Sequence, residues 1–86
     1  MPTICMFRGI KIYINWRDHL PPHFHAKYGS DEVIVSIDTI EVIKGDFPSK
    51  QLKLLLGWGV LHQDELMENW RLAEQQQELF PIDPLK

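Results

Sequence analysis

IKIYINW, residues 10–16, alternates without a break. Ile10, Ile12, Ile14 and Trp16 point one way, and Lys11, Tyr13 and Asn15 the other. Period-two alternation of β-branched and aromatic residues reads as a half-buried strand, and Trp16 is expected in the core with the isoleucines. Pro21 and Pro22 end any ladder that follows, because neither supplies a backbone N–H.

The same rhythm resumes on the far side of the prolines. In HFHAKYG, residues 23–29, Phe24, Ala26 and Tyr28 form an apolar face and His23, His25 and Lys27 a polar one. Gly29-Ser30-Asp31 is a turn signal. EVIVSI, 32–37, and IEVIKG, 40–45, read as two more strands, separated by Asp38-Thr39. Spacings this short favour antiparallel neighbours, since parallel pairing needs a long crossover.

From Asp46-Phe47-Pro48-Ser49 the pattern changes. A turn, a proline and Ser49 as candidate N-cap announce a helix, running from about 49 to 77. Leu52, Leu55, Leu56, Gly59, Leu66, Trp70 and Ala73 share one broad face, expected against the sheet. Leu54, Trp58 and Leu61 lie on roughly the opposite side, so the first half of the helix has two faces to bury. The extended tail, 78–86, or a second protein is the candidate cover. Gly57 and Gly59 each cost about 1 kcal/mol in a helix interior; they mark a break or a weak point in a continuous helix. The expected fold is α+β: a small antiparallel sheet of three to four strands, packed by one long C-terminal helix, continuous or broken at the glycines, with the tail wrapping back, all within one domain, 1–86.

Composition narrows the function classes. At 86 residues, 44% apolar and 24% charged, the chain has globular and not disordered composition. Its formal charge of −3 gives no global basic field, so any nucleic-acid role needs a local patch. Cys5 is the sole cysteine, which leaves no intramolecular disulfide and no cysteine-based zinc site. Neither a secretory signal nor a membrane span is legible, and a cytoplasmic location is expected.

The densest chemistry lies in RDHLPPHFHAKYG, residues 17–29, with three of the four histidines. His23 and His25, two apart on a strand, leave the same face about 7 Å apart at Cα. Such a pair can ligate one metal if a third donor joins it. His19 is the first candidate, giving a His19, His23, His25 set; His62, Asp18, Glu32 and Asp38 are others. Without metal, Arg17, Asp18, His19, His23 and His25 form a candidate catalytic cluster. Histidine titrates near neutrality and can serve as base and acid on RNA, while Arg17 and Lys27 steady charge on the phosphate. A structural reading stands beside both: Asp18 capping a turn, and the histidines forming an ordinary polar strand face. No cofactor is expected, with zinc as the alternative.

These motifs together resemble one small bacterial and archaeal family, domain of unknown function family 4160. The matching residues are Pro2-Thr3-Ile4, Phe7, Gly9, Arg17-Asp18-His19, Pro21 through Ala26, Tyr28-Gly29, Leu61-His62, Glu65-Leu66 and Glu68-Asn69-Trp70. The resemblance covers nearly the whole chain, and it departs at Gly57 and Gly59, where family members tend to carry helix formers. It implies a single-domain protein encoded beside another small family, in an arrangement like a toxin–antitoxin pair. The expected role is therefore regulatory, through contacts with a small cognate protein or a second copy, with Leu54, Trp58 and Leu61 in the contact surface. The alternatives are a small RNase using the His23/His25 face and a zinc-binding domain.

Overall fold

The computed structural model describes residues 2–86. It shows an α+β fold in which five antiparallel strands form one sheet in the order β1-β2-β3-β4-β5: β1 (Thr3–Phe7), β2 (Ile10–Tyr13), β3 (His23–Tyr28), β4 (Asp31–Ser36) and β5 (Val42–Gly45). Two helices follow, α1 (Ser49–Leu61) and α2 (Gln63–Glu74).

Alternation sets the register. On the inner face Ile12 pairs with Ala26 and Ala26 with Val33, while Phe24 pairs with Val35. These residues are buried with Ile10, Ile14 and Ile37 in one core. On the outer face one cross-strand row runs Met6, Lys11, Lys27, Glu32, and another runs Tyr13, His25, Ile34, Lys44. A sheet covered on one side only takes this two-faced pattern.

The sheet has five strands where three to four are expected. β1 escapes period-two reading because its register shifts between Thr3 and Cys5, so Ile4 and Cys5 are both buried. The ladder of β2 stops at Tyr13; Ile14 stays in the core, but Trp16 is exposed and its indole N–H donates to the Gln77 carbonyl.

There are two helices and not one, and neither glycine divides them. The break is at His62, whose φ is −119° and whose N–H is shared between the Trp58 and Gly59 carbonyls. Gly57 faces open space, whereas Gly59 lies where a Cβ would come 3.1 Å from Ile40 Cγ2, so this glycine lets α1 sit close to the sheet. Pro48, not Ser49, occupies the N-cap position, and no side chain caps the helix.

The buried face of α1 is Leu55, Trp58 and Gly59. Trp58, expected on an outer contact surface, is 0% exposed. It packs against Phe7 and Phe24, and its indole N–H donates to the Asp83 carbonyl at 2.8 Å. Of the second apolar face the tail covers Trp58, while Leu61 stays 71% exposed. Asn69, fully buried on α2, clamps the tail by donating to the Phe80 carbonyl and accepting from the Phe80 N–H, each at 3.0 Å. Ile82 is buried and its N–H donates to the Ile4 carbonyl at 2.8 Å.

Candidate functional site

The residues between β2 and β3 bring the polar cluster together. After Tyr13 the chain leaves the sheet, turns through Arg17 in the left-handed region (φ 56°), and returns at His23. The Arg17 N–H donates to the Ala73 carbonyl at the end of α2, which ties the turn to the helix layer. Asp18 is thereby suspended beside the first residues of β3, whose period of two aims His23 and His25 toward it.

Asp18 is the hub. Its Oδ1 accepts from the His19 backbone N–H at 2.9 Å and lies 3.0 Å from His19 Nδ1. Its Oδ2 lies 3.0 Å from His23 Nε2 and 3.2 Å from His25 Nε2. The carboxylate is only 15% exposed. Burial alone would raise its pKa. The His19 backbone N–H and the His25 and His23 rings outweigh that and hold it down at about 2. Asp18 is therefore an anion at any working pH.

The histidines differ sharply in access. His23 is 3% exposed, flanked by Trp70 and its Nδ1 2.8 Å from the Pro21 carbonyl. A carbonyl only accepts, so Nδ1 carries the proton. His25 is 13% exposed and lies flat against Tyr13, ring centroids 4.8 Å apart and nearly parallel. His19 is 87% exposed. Of the three, only His19 is open to a large substrate.

The surrounding residues are polar and converge from β2 and β4. The Tyr13 hydroxyl donates to Glu32, and burial followed by the nearby Glu32 and Asp18 charges raises its pKa well above the ordinary phenol value. Lys27 Nζ lies 5.8 Å over the Tyr13 ring. Asn15 Nδ2 is 3.5 Å from His25 Nε2, and Asn15 Oδ1 is a buried oxygen with no hydrogen-bond partner among the described residues.

The structure thus unites Asp18, His19, His23 and His25. It leaves Arg17 exposed beside them, without an ion pair among the described residues. Of the donors weighed for a metal, Asp18, His23 and His25 each offer one ligand atom within 4.8 Å of the others, and His19 Nδ1 lies against the opposite carboxylate oxygen. Of the other donors weighed, His62 is paired with Glu65 and Glu32 with Tyr13. The sequence reading passed over Tyr13 and Asn15. The signal for them was present, since both belong to the polar face of IKIYINW, and Tyr13 pairs across the strands with His25.

One protein-family model, described as Domain of unknown function (DUF4160), matches residues 9–71. No curated protein and no solved structure matches the chain.

Proposed function

The chain belongs to the DUF4160 family, and from that premise we propose that it is a small RNA-cleaving hydrolase, the toxin-like member of a regulatory pair. One observation carries the reading. Asp18 Oδ1 lies 3.0 Å from His19 Nδ1, and the ring is 87% exposed, so its Nε2 is open to solvent as a base. Histidine and an orienting carboxylate form the minimal unit for taking a proton from a 2′-hydroxyl. The outer sheet face supplies what a net charge of −3 conceals. Lys11, Lys27 and Lys44 stand on it in two rows, one of which contains His25. With Arg17 they offer positive charge to a phosphodiester backbone. The roles of His23 and His25 change accordingly: both are too enclosed to meet RNA directly and serve to hold Asp18.

The test is cleavage of labelled RNA by purified, untagged protein. His19→Ala is expected to lower the rate by roughly 10²-fold or more, while its thermal midpoint barely moves because the side chain is exposed. RNA left intact by the native chain, with and without divalent metal, removes the proposal.

A regulatory reading through protein contacts has its own observation. Val60 and Leu61 lie side by side at the end of α1, 63% and 71% exposed, with half-buried Leu54 two turns earlier. With Trp58 assigned to the core, these three form the candidate contact for a small cognate protein. Leu61→Glu should weaken that complex without unfolding the domain; an unchanged affinity would exclude the surface.

A further inference from the structure

We infer that Asp18 Oδ2, His23 Nε2 and His25 Nε2 bind one divalent transition-metal ion, with zinc the first to test. The inference rests on the reading of this cluster as the working site and names the cofactor that site takes.

The argument begins with protons. His23 donates Nδ1–H to the Pro21 carbonyl, so in the neutral ring Nε2 is a lone pair. That lone pair faces a carboxylate oxygen at 3.0 Å, and a second imidazole nitrogen faces the same oxygen at 3.2 Å. Acceptors do not converge on an acceptor unless positive charge lies between them. A second proton on His23 would meet the need by making one enclosed imidazolium, since neutral His25 can donate its own Nε2–H to Asp18. A single cation meets it with both rings neutral, and three features of the geometry favour the cation.

The first is ring orientation. A metal-ligating histidine nearly always gives its other N–H to a carbonyl, carboxylate or water, and His23 does so to Pro21. The second is spacing. Ligands about 2.0–2.1 Å from an ion at tetrahedral angles stand about 3.3 Å from one another. The two carboxylate–imidazole separations, 3.0 and 3.2 Å, are close to that edge. All three donor atoms lie within 4.8 Å of one another. The third is a surplus of acceptors. Asn15 Oδ1 is buried without a donor, on a side chain whose nitrogen is 3.5 Å from His25 Nε2.

Two imidazoles and one carboxylate suit zinc or ferrous iron rather than calcium or magnesium, which take oxygen ligands. Three protein ligands leave a fourth coordination position for a water or a further donor.

The deciding experiment titrates chelator-treated, untagged full-length protein with zinc by calorimetry. Cobalt(II) serves as a spectroscopic probe, through the visible bands of four- or five-coordinate Co(II). One equivalent should bind, with proton release at mildly acid pH. His25→Ala and Asp18→Ala, each confirmed as folded by circular dichroism, should weaken zinc by about tenfold or more. His23 is too deeply buried to serve as the first variant. Absence of saturable binding overturns the inference, and so does binding that neither variant alters. The outcome is separable from the hydrolytic reading. One equivalent of zinc without RNA cleavage keeps the ion and removes the RNase. Cleavage that survives chelation, without zinc binding, removes the ion and keeps the RNase.

Discussion

The two faces of the sheet are built from the same five strands by opposite means. The inner face is dry: Ile10, Ile12, Phe24, Val33 and Val35 meet Leu55, Trp58, Leu66 and Trp70 in a single apolar cluster. Its order comes from volume, and any side chain of the right size and shape contributes. The outer face, near the β2–β3 turn, is held by directional contacts around one carboxylate, with Tyr13, Glu32 and Asn15 arranged behind it. The contrast separates what keeps the chain folded from what gives it chemistry. Trp70 and His23 meet at the boundary, ring centroids 5.2 Å apart.

Truncation on the dry face should cost most. Trp58→Ala removes a fully buried indole and its hydrogen bond to Asp83, and a loss of about 3–5 kcal/mol in denaturant unfolding is expected. A loss below about 1 kcal/mol would contradict the assignment of Trp58 to the core. Next in size is Asn69→Ala. It strands the Phe80 N–H and carbonyl, costs about 1–3 kcal/mol, and should make residues beyond 77 newly sensitive to protease.

The outer face should answer to pH instead. Asp18 titrates at about 2 in the folded chain, below its ordinary 3.8. A depressed carboxyl gives stability that is full above the unfolded pKa and lost as pH falls from near 4 toward 2, here on the order of 1–2 kcal/mol. Acid-unfolding curves of the native chain and Asp18→Asn should converge over that interval; parallel curves would show that the hub contributes nothing. The smallest effect separates the two glycines. Gly57→Ala, facing open space within a helix, should stabilise by about 0.5–1 kcal/mol. Gly59→Ala should gain less, because its methyl meets Ile40 at 3.1 Å.

The difference between the faces also explains what could be read in advance. Strands β2 to β4 and the partition of His23 and His25 from Phe24 and Ala26 follow from alternation alone, because period two is a local property. β1 was illegible because its bulge places Ile4 and Cys5 on the buried side together. The glycines suggest a break or weak point, but the helix breaks at His62, and Gly59 instead answers to its approach to Ile40, a contact between residues distant in sequence. Helical periodicity places Trp58 outward because it does not show what the tail covers. The site divides in the same manner: its strand members were visible, but the position of Asp18 depends on an aperiodic turn tied to Ala73, and no spacing rule specifies it.

The contact between Ile82 and Ile4 has a consequence for assembly. β1 and β5 are the two ends of the sheet, and a strand with free N–H and C=O groups can recruit another chain. The tail reaches across β1 and takes its Ile4 carbonyl, while β5 presents Val42 and Ile43 with no neighbour among the described residues. Two open ends would permit head-to-tail polymerisation. With the tail bonded to β1, β5 is the more open edge, and any pairing confined to it would terminate at two chains.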